Sequence, residues 1–362
     1  MTGKHIVVVG AGYAGLSAAT RTGRRHRVTL IAPETRFLHR IRQHETAAGR
    51  PEHRPEIATL LRGRQVTHLR ARVTELDPAG RKVFLDSGES LGYDTLVHAL
   101  GSRTAWHGVP GAAEHAYPVE RAAGLRERLR SARRGLRSAR RPGTLAVVGG
   151  GPTGIELAAE LAEAYPAWRV RILAAGEVGG WFSPKGRAHV LRVLARLGVQ
   201  VHEHTPVTAV AADGLGTGRG RVEADVVAWA ASMEAHPLAA ESGLDVDPHG
   251  RALVDEYLRS LSHPDVHVIG DAAAVSVPGI GTLRMGCATA LPMGQYTGRL
   301  LSGRTSKPFD FRYAGQCLSL GREDGLFQLI HGDDSMRRTV VTGAAGRLIK
   351  AGIVRYVAGS LR

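Results

Sequence analysis

One pattern occurs twice in this chain of 362 residues: an apolar run, a glycine turn, then a helix rich in small residues. The first copy, Lys4 to Leu16, is KHIVVVGAGYAGL. Ile6 to Val9 reads as a strand, Gly10-Ala11-Gly12-Tyr13-Ala14-Gly15 as the turn, and Leu16 to Ala19 as the opening of a helix. The second copy runs from Leu145 to Val148 through Gly149-Gly150-Gly151-Pro152-Thr153-Gly154 into a helix, Ile155 to Ala164, that stops before Pro166. The first glycine permits such a turn, the second lets backbone approach a pyrophosphate, and the third lets helix pack on strand. The helix N-terminus then meets the phosphates. A lone GxGxxG is weak, because glycine turns are common; here strand and helix flank it both times.

The repeat extends past the turns. In the first copy, Arg27 to Ala32 is a second strand, Gln65 to Arg72 starts another, and Val73 to Leu85 reads as a hairpin around Asp77-Pro78-Ala79-Gly80. A strand from Tyr93 then runs into Gly101-Ser102. In the second, Trp168 to Ala174 is a strand, Gln200 to Ala211 with Gly220 to Glu223 suggests an antiparallel segment, and Ala224 to Ser232 closes the unit. The copies span about 90 and about 85 residues. Two dinucleotides held side by side is the physical reading. The fold class is α/β, with two Rossmann-like domains and a small C-terminal α+β segment. A third element, Val266 to Ile269, ends at Gly270-Asp271, after which Ala272 to Ala274 can begin a helix. Asp271 there either accepts hydrogen bonds from a polyol or caps that helix.

Composition narrows the classes. Length allows two or three domains, and no run approaches the roughly 18 apolar residues of a membrane span. The N-terminus enters a strand almost at once, so no signal peptide and a cytoplasmic protein are expected. Cys287 and Cys317 form no CxxC-type pair, which argues against a disulfide framework, a zinc site and a dithiol centre and favours two buried thiols. Net charge is +15, and nine arginines lie between Arg121 and Arg141. Without an aromatic-rich RNA motif or zinc-finger spacing, this run reads as a solvated helix face and no nucleic-acid partner is expected. The tail, Ala344 to Leu361, reads as a basic amphipathic helix. It either packs on the protein body or lies on a membrane.

Together VVVGAGYAGL, YDTLVHALGS, VVGGGPTGIELAAEL, EADVVAWAAS and VHVIGDAAA resemble the two-dinucleotide-binding-domain flavoproteins of the pyridine nucleotide–disulfide oxidoreductase superfamily. Thr153 to Ala158 and Cys317 to Leu326 (CLSLGREDGL) narrow the resemblance to type II NADH dehydrogenases and apoptosis-inducing-factor-like relatives. The resemblance implies FAD in residues 1–110 and 236–300, NAD(P)H in 111–235, and a C-terminal interface segment, 301–362. FAD would meet Gly10, Gly12, Tyr13, Ala14, Gly15, Val73, Gly101, Gly270 and Asp271, with Glu34 a candidate for the ribose. NAD(P)H would meet Gly149, Gly151, Thr153, Gly154 and Glu156. Ala174 stands where NADH enzymes usually place an acid, and Glu177 follows, which leans to NADH. Disulfide reductases of this fold carry CxxxxC just after the second strand. Phe37 to Glu45 has no cysteine, so the acceptor meets the flavin directly. The AQxAxQxG-like quinone motif of type II enzymes corresponds to Cys287 to Gly294, where Ala288 and Pro292 replace both glutamines.

Hydride transfer needs nicotinamide C4 stacked on flavin N5 with water excluded. Glu156 is expected in the first turn of its helix, to position the carboxamide or shuttle a proton; its plain alternative is an acid that complements the helix dipole. Leu291 to Gly294 is expected to start a helix, Pro292 in its first turn, that stabilises charge near flavin N1. Arg40, Arg42 and His44 are candidates to face flavin or an anionic acceptor, His44 being suited to proton traffic near neutral pH. The expected function is FAD-dependent NAD(P)H oxidation with a quinone or small organic acceptor. The rivals are a flavoenzyme that tailors a specialised metabolite and a nucleotide-dependent redox sensor. A peripheral membrane contact and a homodimer remain candidates.

Overall fold

The computed structural model describes residues 3–52, 54–139 and 141–361. Two five-stranded parallel sheets carry it, each with its glycine-turn strand in the centre. The first has the order Val266–Val268, Thr95–His98, His5–Val9, Arg27–Ile31, Val66–Leu69. The second has the order Ala116–Pro118, Val226–Trp229, Gly143–Val148, Trp168–Leu173, Gln200–His202. Parallel strands covered on both faces need apolar residues at successive positions. Ile6 to Val9 and Leu145 to Val147 are accordingly buried along their whole length.

In each sheet the fourth strand is reached through a three-stranded antiparallel meander. The first comprises Val73–Asp77, Lys82–Leu85 and Ser90–Gly92. The second comprises Val207–Ala211, Gly214–Thr217 and Gly220–Glu223. Gln200–His202 is not part of this antiparallel segment: it pairs parallel to Arg171–Leu173 as the edge of the main sheet. Three residues of alternating polarity cannot distinguish these pairings, and the helix Pro184–Arg196 before them makes the parallel crossover.

The fifth strand of each sheet comes from outside its repeat, so the chain crosses between units twice. At the crossings Ser102–Thr104 pairs antiparallel with Met233–Ala235. Trp229 Nε1 donates to the Ala105 carbonyl at 2.9 Å, and Arg103 pairs with Glu234 at 2.7 Å. The arginine-rich helix, Ala122–Ala139, packs Leu125 and Leu129 fully into the second core. Residues 315–342 form a three-stranded antiparallel sheet, and the terminal helix Gly343–Gly359 lies on it. Gly346 of that helix abuts the Gly325 carbonyl, and Val357 is buried, so the helix packs on the body. No helix among the described residues is long and apolar enough to cross a membrane.

Helix Tyr13–Thr22 packs along helix Cys287–Leu301 with almost no side chain between them. A Cβ on Gly294 would fall on the Ala14 backbone carbonyl. This corrects the expected helix start at Leu291: the helix begins at Cys287, and Pro292 lies inside it rather than in its first turn. Pro292 gives no N–H to the helix ladder. Gly294→Val is expected to force the two helices apart. It should cost about 1–3 kcal/mol or more by overpacking, read as a lowered Tm of the flavin-loaded protein.

Candidate functional site

Both glycine turns have the geometry that a dinucleotide needs. Gly10 (φ +104°) and Gly149 (φ +116°) sit in the left-handed half of backbone space, which admits glycine readily. Cβ atoms there would strike the Ala99 and Ala230 carbonyls. A Cβ on Gly15 or Gly154 would fall on the carbonyl oxygen of Gly10 or Gly149, so helix and turn touch only because both lack side chains. At Gly12 and Gly151, by contrast, nothing lies within 4 Å of a Cβ position. These are the N-cap residues of Tyr13–Thr22 and Pro152–Ala164. Neither helix has a side-chain cap or an acid in its first turn. Free N–H groups at an open helix start fit a pyrophosphate, so the residues present fit FAD in the first cradle and a nicotinamide dinucleotide in the second.

The first cradle is backed by aromatic packing. Tyr13 is buried, its ring edge-on to Phe37 at 5.1 Å and its hydroxyl 3.4 Å from His39 Nδ1. Burial pushes the Tyr13 phenol far above its ordinary value. Asp271 does not open a helix: Gly270–Ala272 is a single tight turn, and Ala273–Ala274 pairs as strand with Ala252–Leu253. Its carboxylate instead joins elements. Oδ1 accepts from Gly286 N at 2.8 Å, at the start of helix Cys287–Leu301, and Oδ2 accepts from Ser102 Oγ at 2.6 Å. Arg40 donates to the Ser102 carbonyl at 2.8 Å, which brings Arg40 to this group. Arg42 turns aside to Glu45, at 2.6 Å. Glu34 is exposed beyond the second strand, Val73 is buried at the head of the meander, and Gly101 turns with φ +69°.

Glu156 is the fifth residue of its helix rather than a first-turn acid, and only 7 % exposed. That weakens the helix-dipole explanation, since the dipole acts mainly on the first turn. Three parts of the chain converge on it. Oε1 accepts from Ser319 N at 2.8 Å and from Lys350 Nζ at 3.0 Å; Oε2 lies 3.7 Å from His44 Nδ1. His44 is 4 % exposed, and its Nε2 is buried with no partner among the described residues. Burial alone would raise the Glu156 carboxyl, but Lys350, His44 and the Ser319 amide outweigh it and hold the group below its ordinary value. Burial alone would likewise lower Lys350, but Glu156 first, and Cys317 and Cys287 with it, hold the ammonium above its usual range.

The two cysteines, far apart in sequence, both neighbour Lys350. Burial pushes the Cys287 thiol up to about 11 and raises Cys317, so both are neutral near pH 7. Lys350 escapes a reading of the tail as a basic amphipathic helix. Its signal is spacing: Gly346, Lys350, Ile353 and Val357 share one helical stripe, the buried one. Among the described residues no cluster of three or more His, Cys, Asp or Glu could hold a metal ion.

Comparison with known proteins shows the family and the fold. The family described as pyridine nucleotide-disulphide oxidoreductase matches residues 4–294. The chain belongs to that family. An NADH dehydrogenase-like protein of Mycobacterium tuberculosis is 32 % identical to this oxidoreductase over 320 residues, 81 % of this chain and 78 % of the relative. A type II NADH:quinone oxidoreductase of Staphylococcus saprophyticus is 27 % identical over 367 residues, 91 % and 90 % of the two chains. The structure of NDH2 from Plasmodium falciparum in complex with NADH superposes with a TM-score of 0.85. It covers 98 % of this chain and 94 % of that one at 15 % identity, a likeness of fold. The oxidoreductase uses FAD and NAD(P)H.

Removing one partner of a buried ion pair strands the other charge, typically at 3–5 kcal/mol. Lys350→Met is therefore expected to destabilise by about that much, and Glu156→Gln/Lys350→Met by distinctly less, in denaturant titrations. The pair also sets a pH window. Glu156, depressed on folding, stabilises above its unfolded value of 4.5, and this is lost as pH falls through the folded pKa. Lys350, raised on folding, stabilises fully below 10.5, and this is lost as pH rises through its folded value. The double variant should flatten both limbs of a Tm-against-pH profile.

Proposed function

We propose that this oxidoreductase takes hydride from NADH and reduces a quinone or a similar small planar acceptor, beside helix Cys287–Leu301 and the terminal helix. The observation that carries this reading is the meeting of His44, Glu156 and Lys350, drawn from the two nucleotide-binding units and the C-terminal segment. When bound, FAD supplies the two-electron chemistry that links nicotinamide to acceptor.

The chain's own residues do the rest. The first cradle, with Gly10, Gly12, Tyr13, Ala14 and Gly15, holds the FAD pyrophosphate. Asp271 and Gly270 would hold its polyol, Glu34 its ribose, and Val73 and Gly101 would complete the FAD site. Gly149, Gly151, Thr153 and Gly154 hold the nicotinamide dinucleotide. Glu156 orients the nicotinamide and, with His44 and Lys350, keeps protons available in a site closed to bulk water. His44 faces Glu156 through Nδ1, and its other ring nitrogen, Nε2, is buried with no partner among the described residues.

A quinone is supported by the Staphylococcus relative, a type II NADH:quinone oxidoreductase. Ala288 and Pro292 offer no side-chain amide to its carbonyls, and the Lys350 ammonium, which neighbours Cys287, is a hydrogen-bond donor on this side of the site. Leu348 and Tyr356, 57 % and 67 % exposed and flanked by Arg347 and Arg355, form a stripe suited to a lipid surface, from which an apolar acceptor can be drawn.

Purified protein is expected to carry a yellow flavin that bleaches anaerobically with NADH faster than with NADPH and recovers its colour on addition of a soluble quinone. No bleaching with either nucleotide overturns the reading; bleaching without recovery by quinones removes the quinone. Glu156→Gln should lower kcat by roughly 10²-fold while FAD content stays unchanged, in steady-state turnover.

A further inference from the structure

Helix Tyr13–Thr22 ends, opposite its glycine turn, in a concentration of positive charge. Arg21 and Arg24 come from that end, Arg64 from the loop before strand Val66–Leu69, and Arg299 and Arg304 from the end of helix Cys287–Leu301. With Thr20 they line one pocket of about 180 Å³.

The three segments are locked together. Gln65 N donates to the Gly23 carbonyl at 2.7 Å, Ser302 Oγ to the Arg21 carbonyl at 3.2 Å, and Arg304 N to the Arg299 carbonyl at 2.8 Å. Arg21 is held further by its own guanidinium, which donates to Ser17 Oγ at 2.9 Å. The cations are therefore gathered by the fold rather than by a protein anion.

Several other arginines of this chain meet carboxylates, as Arg251 does with Asp247 and Arg284 with Asp334, each at 2.7 Å. Among the described residues none of the five pocket arginines is in such a pair. Two helix C-termini end here, worth roughly half a negative charge each, far short of five positive ones. Burial first, then the proximity of Arg299 and Arg24, pulls Arg21 below its ordinary value.

We propose that this pocket binds a phosphoryl anion carrying two or more negative charges. Guanidinium forks match the spacing of phosphate oxygens and hold them bidentately. Convergence from several directions suits a tetrahedral, multiply charged group better than a planar monocarboxylate. The pocket is distinct from the FAD pyrophosphate cradle: the ten-residue helix between them is about 15 Å long. It does not depend on which acceptor the flavin serves.

The same headgroup chemistry occurs in free phosphate compounds and in anionic lipids, and two probes separate them. Flavin-loaded protein, with saturating NAD⁺ to fill the second cradle, is titrated calorimetrically with inorganic pyrophosphate. It is also sedimented with phosphatidylcholine vesicles with and without phosphatidic acid. The comparison protein is Arg24→Ser/Arg304→Ser, which removes two exposed side chains that make no hydrogen bonds among the described residues. Its flavin absorbance and Tm report its folding, and Arg64→Gln is the substitute if it fails. One pyrophosphate per chain, bound about tenfold or more weakly by the variant and weakened by salt, establishes the site for a free phosphate compound. Sedimentation that needs both phosphatidic acid and the arginines establishes it for a lipid headgroup. No binding of either probe, or equal binding by wild type and variant, overturns the proposal.

Discussion

Both nucleotide cradles depend on one steric fact. A helix can start against the end of a buried strand, with its N–H groups bare, only where two backbones touch without Cβ atoms between them. Gly15 against the Gly10 carbonyl, and Gly154 against the Gly149 carbonyl, are that contact. The open space at Gly12 and Gly151 follows from it, because a helix pulled tight onto its strand leaves its N-terminus facing outward into room for phosphate. The same device recurs between helices, where Gly294 lies on the Ala14 backbone and ties the first cradle to the segment that carries Cys287 and Pro292.

The second organising feature is electrical. Glu156 is nearly enclosed, and a lone buried carboxylate would be neutral or destabilising. Its charge is kept by the Ser319 amide and the Lys350 ammonium, both from the C-terminal segment. That segment is therefore more than a cover: it supplies the counter-charge that lets an acid remain ionised at the meeting point of the two units. Asp324 repeats the arrangement a short way off. It holds His189 at 2.8 Å and Arg196 at 3.0 Å, and so fastens the same segment to helix Pro184–Arg196.

Particular residues show what could be read in advance. The hairpin around Asp77 to Gly80 was legible because turn chemistry is local, and Val73–Asp77 and Lys82–Leu85 pair there. Gln200–His202 was not, because a three-residue strand has no periodicity to distinguish a parallel edge from a meander. Pro292 was misplaced for a similar reason. Proline favours a first turn, but the helix starts one turn earlier, at Cys287, and carries Pro292 in its interior. Asp271 was found as a polar residue at a strand end, but its bonds to Ser102 and Gly286 link residues 169 and 15 positions away, which no local pattern contains.

The amino-acid order alone determined the doubled strand–turn–helix unit, the α/β class and two dinucleotide cradles, because glycine spacing and apolar runs act over a few residues and leave the backbone little choice. Only the tertiary structure decided which charges meet. Lys350 lies 194 positions from Glu156 in sequence, and the five arginines of the remote pocket come from three separate segments. Pairing across such distances is governed by which faces the core buries. That depends on the packing of all the elements at once, and no short stretch of the chain specifies it.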